Sequence, residues 1–152
     1  MIDSNILEYS KLEPLNVSRE TLEELNNYSL SIISKNKEIN LISSSTERSI
    51  NTRHIIDSAQ TIDFINKNDV NVCTDLGSGA GLPGIVLAIL MKSKKPQFKM
   101  IFYEKSYHKS NFLKEISKKF KLNTEIKQKN TVVKVDIKLY LLKLLIFKLF
   151  FK

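Results

Sequence analysis

Asp75-Leu-Gly-Ser-Gly-Ala-Gly-Leu-Pro-Gly84 holds all four glycines of the 152-residue chain. A domain that needed glycine only for turns would spread it out. Here Gly77, Gly79 and Gly81 can take positive φ, and without side chains they let the backbone approach a ligand closely. Pro83 falls in the first turn of a following helix, where its missing N–H costs little. The stretch reads as the turn between a strand ending at Asp75 and a helix. The acid at the strand end can reach polar groups of a bound nucleotide, directly or through water. Gly79-x-Gly81-x-x-Gly84 also fits the dinucleotide fingerprint, but only weakly. Asp75 makes the pattern Asp-x-Gly-x-Gly-x-Gly, which points to S-adenosyl-L-methionine, a cofactor with no pyrophosphate to place on a helix N-terminus. A glycine turn with no ligand is the alternative.

Outward from the loop, the pattern is strand–turn–helix repeated. Val70–Asp75 is expected as a short strand and Ile85–Met91 as an apolar helix. Phe98–Glu104 is expected as a second strand in a sheet covered on both faces. Glu104, at its end, is placed to accept hydrogen bonds from both ribose hydroxyls of a nucleotide cofactor. His108–Lys121 follows as a helix with Phe112, Leu113, Ile116 and Phe120 inward, and Thr124–Gln128 starts a third strand. Strands alternating with helices imply right-handed parallel crossovers and an α/β sheet.

Residues 18–36 read as an amphipathic helix capped by Ser18, with Glu20, Glu23 and Glu24 at the positive end of its dipole and Leu22, Leu25 and Ile32 on one face. Ser44-Ser45-Thr46-Glu47 has the spacing of a capping box and is expected to open a second helix through about Ile65. On it Arg53 and Asp57 stand four apart and could pair across one turn. Asn40 is expected to organise the loop between the two helices. The organisation is therefore an N-terminal helical extension over 1–68, a cofactor-binding half over 69–129, and a distinct tail over 130–152.

Charge is divided along the chain. Residues 1–90 carry 7 Lys+Arg against 12 Asp+Glu, a balance of −5, and residues 91–152 carry 17 against 4, a balance of +13. The basic part can attract phosphates without regard to sequence, or it is a lysine-rich solvated surface. A single cysteine, Cys73, leaves no disulfide framework or metal cluster and fits a reducing cytoplasm; within a strand it reads as core rather than nucleophile. The N-terminus lacks the basic and apolar regions of a secretory signal. In the tail no apolar run reaches the roughly 18 residues of a membrane span. A basic amphipathic helix on a membrane surface is the other reading of it.

The loop, extended to DLGSGAGLPGIVLAI and preceded by Asn36…Ile39-Asn40-Leu41 and Arg53-His54-Ile55-Ile56-Asp57-Ser58, resembles the bacterial small-subunit (16S) rRNA guanine-N7 methyltransferases, also called glucose-inhibited division protein B. The resemblance continues through Glu104 and Lys109…Phe112-Leu113 to Leu122, covering roughly residues 20–128. It implies a Rossmann-like S-adenosyl-L-methionine-dependent methyltransferase sheet, incomplete at the C-terminus. It implies that Gly77 and Leu82 contact the cofactor through backbone groups, that Asp75, Gly79 and Gly81 shape its pocket, and that Glu104 binds the ribose. Arg53 and His54 would lie near the RNA or the methyl-transfer centre. For Arg53 the alternative is a surface pair with Asp57; for His54 it is a hydrogen-bonded structural histidine. His108 is expected at the surface. The implied partner is small-subunit rRNA or the ribosomal subunit, met by a cytoplasmic monomer.

The family pattern calls for an Arg followed by Ala-Glu after the third strand, where this chain has Asn130-Thr131-Val132. The tail reads like out-of-frame translation of an AT-rich gene, so a frameshifted, truncated copy with little or no turnover is expected. Two other classes stay open beside a methyltransferase: a basic RNA-binding remnant without catalysis, and a membrane-associated fragment.

Overall fold

A computed structural model describes Leu12, residues 15–67 and residues 70–129. Helix α1 (Arg19–Asn36) begins as its sequence dictates, with Ser18 accepting a hydrogen bond from the Thr21 amide. The inward face of α1 is Thr21, Leu25, Tyr28, Ser29 and Ile32.

The second helix does not form as one element. A 3-10 segment (Ser44–Ser49) leads into wide π-type turns (Asn51–Ile56), a single α-turn (Asp57–Ala59) and helix α2 (Ile62–Lys67). The capping box fails: no side chain caps the 3-10 segment, and the acid of the box is engaged elsewhere. The Thr46 hydroxyl donates to the Ser43 carbonyl, and the Glu47 carboxylate accepts from Asn36 Nδ2 at 2.5 Å. Asn36, rather than Asn40, organises this connection. Its Oδ1 accepts from the Leu41 and Ile42 amides at 2.7 and 3.0 Å, and its Nδ2 also donates to the Ile42 carbonyl.

Three parallel strands follow, β1 (Val72–Leu76), β2 (Lys99–Tyr103) and β3 (Thr124–Lys127), adjacent in that order. In register, Asp75 stands beside Phe102 and Phe102 beside Ile126. Helix α3 (Gly84–Lys94) joins β1 to β2 and helix α4 (Tyr107–Lys119) joins β2 to β3. Residues 85–91 of α3 are all buried, because the helix lies between the sheet and the N-terminal helices. Phe112, Leu113, Ile116 and Phe120 point inward as their spacing predicts.

The sheet is not covered on both faces by the described residues. Along β1 and β2 buried and partly exposed positions alternate: Cys73, Asp75, Met100 and Phe102 are buried, whereas Thr74, Ile101 and Tyr103 are only partly so. Both crossovers run in the same direction across the sheet, and right-handed crossovers of that kind lay their helices on one face. The other face carries Glu125 between Lys99 Nζ at 2.8 Å and Lys127 Nζ at 3.1 Å. The chemistry-bearing loop stands at the C-terminal ends of the strands, where open α/β sheets bind their ligands. No described helix is long and apolar enough to cross a membrane. The tail, with its amphipathic pattern and Asn130-Thr131-Val132, lies outside the described residues.

Candidate cofactor and substrate site

β1 ends at Leu76 and the chain reverses through three glycines in the left-handed region, Gly77 (φ +66°), Gly79 (φ +58°) and Gly81 (φ +92°). Side chains rarely adopt this conformation, so the expected positive φ at all three is borne out. The reasons differ from one to the next. A Cβ on Gly79 would meet nothing within 4 Å, which makes this backbone an open cradle that a ligand can approach. A Cβ on Gly81 would crowd Ile85 Cγ1 at 2.5 Å and Leu113 Cδ2 at 2.7 Å, so that glycine serves packing. Gly84 belongs to the second kind: a Cβ there would strike the Phe102 ring and lie 2.9 Å from Met100 Cε. It lets α3 settle on β2.

The loop is braced from three directions. From the sheet, the Tyr103 carbonyl accepts from the Gly77 amide at 2.8 Å and the Ser78 amide at 3.1 Å. From the end of β2, the buried Glu104 carboxylate spans two amides: Oε2 accepts from Gly79 N–H and Oε1 from Ser106 N–H, each at 2.8 Å. A carboxylate offers about four lone pairs, so one acceptor position remains on each oxygen. From α1, the Tyr28 hydroxyl donates to the Ala80 carbonyl at 2.8 Å. Burial, and then the charge of Asp75, push the Tyr28 phenol well above its ordinary range, so it is a donor at every physiological pH. Sequence reasoning missed Tyr28 altogether, since a tyrosine on an apolar helix face reads as packing.

Asp75 is buried at the end of β1 and faces this interior. Burial, with a smaller contribution from Asp75, raises the Cys73 thiol to about 11. Protonated and inside a strand, Cys73 is core, as expected. His108 is exposed and edge-on to Tyr107, also as expected.

Arg53 and His54 come from the wide π-type turns and reach the other side of the loop. With Asp57, Ser58, Leu82 and Pro83 they line a recess of about 200 Å³. The segment thus brings together residues 53–58 and the end of the glycine loop, two groups that the sequence keeps 24 or more positions apart. His54 is held by a 2.9 Å hydrogen bond between Nε2 and Thr46 Oγ1. Its pKa is lowered, chiefly by burial and slightly by Arg53, with Asp57 opposing. It is therefore both a hydrogen-bonded structural residue and part of the recess. Among the described residues no group of three or more His, Cys, Asp or Glu could hold a metal ion.

The residues fit a nucleoside cofactor: an open glycine cradle, a buried acid at the end of β1, and a second acid with acceptor capacity at the end of β2. A family model described as GidB, rRNA small subunit methyltransferase G, matches residues 21–138, which extends past residue 128 into the stretch assigned to the tail. A protein named Ribosomal RNA small subunit methyltransferase G from Pelagibacter ubique (strain HTCC1062) is 46% identical over 124 residues, covering 80% of this chain and 58% of the relative. One of the same name from Cereibacter sphaeroides (strain ATCC 17029 / ATH 2.4.9) is 37% identical over 121 residues, with the same coverage of 80% and 58%. Another from Bartonella henselae is 53% identical over 79 residues, 52% of this chain and 36% of the relative. The chain spans about half the length of the curated relatives it matches.

Proposed function

The chain belongs to the rRNA small subunit methyltransferase G family, and from that premise we propose that its glycine loop binds S-adenosyl-L-methionine for methyl transfer to N7 of a guanine in small-subunit rRNA. The observation that carries this reading is the shared recess. Leu82 and Pro83 of the loop line it together with Arg53 and His54, in a volume of about 200 Å³. A base placed there lies beside whatever the loop holds.

The residues have distinct tasks. Gly77 and Leu82 offer backbone groups to the cofactor, Asp75 and Glu104 accept its polar hydrogens, and Gly79 leaves room for it. When bound, the cofactor supplies a methyl group on a positively charged sulfur. Guanine N7 already presents a lone pair, so no side chain has to remove a proton. What the chain must do is hold N7 in line at near-attack distance, which is a positioning effect. Arg53 and His54 are suited to that by place and by chemistry.

Isothermal titration with S-adenosyl-L-methionine and S-adenosylhomocysteine tests the cofactor site. Saturable binding of both is expected, and no binding up to millimolar ligand rejects it. That second outcome would leave the basic RNA-binding remnant as the better reading. Methyl incorporation into small-subunit rRNA, offered naked and as assembled subunits, tests the reaction. Comparing the soluble and vesicle-bound fractions after flotation tests the membrane-associated reading, for which the described residues offer no spanning helix.

A further inference from the structure

The hydrogen bonds around His54 fix its tautomer. Thr46 has one hydroxyl proton, and it goes to the Ser43 carbonyl at 2.8 Å. Thr46 Oγ1 can therefore only accept from His54 Nε2, 2.9 Å away, so Nε2 carries the ring proton. In a neutral imidazole the other nitrogen, Nδ1, is then a bare acceptor. Burial favours the neutral ring, and the charges acting on it, Asp57 and Arg53, oppose one another. Thr46 is not among the residues lining the recess, whereas His54 is. The Nε2 side is therefore turned to the 3-10 segment, and Nδ1 is the polar atom that the ring can offer to the recess.

We propose that the recess reads the Watson–Crick edge of the target base, with His54 Nδ1 accepting a hydrogen bond from the N1–H or N2–H of guanine. This rests on the function proposed above and assigns it a specificity-determining residue. Guanine presents donors at N1 and N2 and acceptors at O6 and N7. A grip on N1 or N2 leaves N7 on the far side of the ring system, free for its reaction. Arg53 supplies donors to the same recess, for which O6 is the acceptor not consumed by methyl transfer. Adenine meets Nδ1 badly, because its N1 brings a lone pair where guanine brings a proton. Two acceptors then face each other, and neither is satisfied. The volume suits one base: about 200 Å³, against the roughly 300–1,000 Å³ of sites that enclose whole drug-sized ligands.

Nitrogen-15 NMR of the histidine ring tests this on the full chain. The free protein is expected to show Nε2 protonated and Nδ1 bare; the opposite tautomer overturns the inference without any ligand. Adding guanosine monophosphate should move Nδ1 toward the hydrogen-bonded position, and adenosine monophosphate should not. The shared phosphate cancels between the two. Guanosine monophosphate should bind roughly ten- to hundredfold more tightly. His54→Phe, which keeps a ring in place but carries neither nitrogen, should reduce that preference to less than about threefold. Equal responses to the two nucleotides overturn the inference. S-adenosylhomocysteine titrated into the same sample reads the cofactor site separately. Its binding alongside equal nucleotide responses overturns only the edge-reading role. A guanosine-specific response without it supports that role and overturns the cofactor reading.

Discussion

At the scale of single residues, glycines of one motif do different work, and substitution separates them. Gly79→Ala meets no atoms but forces a side chain to φ +58°, a strain of about 1–2 kcal/mol. Its added methyl stands in the space left for a ligand, so cofactor affinity should fall by more than the stability change explains. Gly84→Ala is the converse. Its Cβ would collide with Phe102 and Met100, and overpacking of this kind costs about 1–3 kcal/mol. Urea unfolding and cofactor titration of both variants should show Gly84→Ala as the stability mutant and Gly79→Ala as the binding mutant. His54 adds a pH dependence of known sign. Its pKa is lowered in the folded chain, so below its ordinary value near 6.5 the unfolded chain binds more protons. Its contribution is complete above that value and is lost as pH falls toward the folded pKa. The urea midpoint should drop between pH 7.5 and 5.5, and drop less in His54→Gln. The motif made Asp75, the glycines and Glu104 legible in the sequence, since each sits at a fixed place in a strand–turn–helix unit. Tyr28 and the Thr46–His54 bond were not, because they depend on which helix meets which loop.

At the scale of elements, the strands and helices after residue 70 follow their hydrophobic pattern to within two or three residues at each end. There the period-2 and period-3.6 signals agree with the turn chemistry between them. The stretch after α1 departs from its pattern because one long-range side chain takes over. Asn36 accepts from two amides and donates to a carbonyl and to Glu47. A capping-box reading uses only neighbours in sequence and cannot register a residue eleven positions away. Asn36→Ala should therefore release the 3-10 segment, with a loss of about 2–4 kcal/mol for several partly buried hydrogen bonds left unmade. The change should appear as faster amide exchange at Leu41 and Ile42 than in the sheet. α1 carries a second linkage. Tyr28→Phe keeps the ring in its fully buried place but leaves the Ala80 carbonyl without its donor. A stability loss of about 1–3 kcal/mol is expected. The loop should also become more mobile, and cofactor affinity should fall although Tyr28 lies outside the cradle.

At the scale of the whole molecule, α1, the π-type turns, α3 and the sheet share one hydrophobic cluster, from Leu25 and Ile32 through Ile55 and Leu87 to Phe102. The N-terminal helices are thus built into the floor of the site. Lys92 on α3 pairs with Glu24 on α1 at 2.6 Å, a partly exposed contact of small energetic weight. The apolar cluster joins α1 to the sheet, and the Tyr28–Ala80 bond ties it to the loop. A ligand held by the loop should therefore stabilise far more than the loop. At a hundred times its dissociation constant, a ligand specific for the folded state contributes about 2.7 kcal/mol, a rise of roughly 11–22 °C in the unfolding midpoint of a domain of about 100 residues. With S-adenosylhomocysteine as that ligand, amide protection should increase in α1 and the glycine loop together in the wild-type chain. In Tyr28→Phe, at a concentration adjusted to equal saturation, the loop should still be protected while the added protection in α1 is diminished. Equal protection of α1 in both proteins would show that packing alone transmits the effect and that the hydroxyl does not.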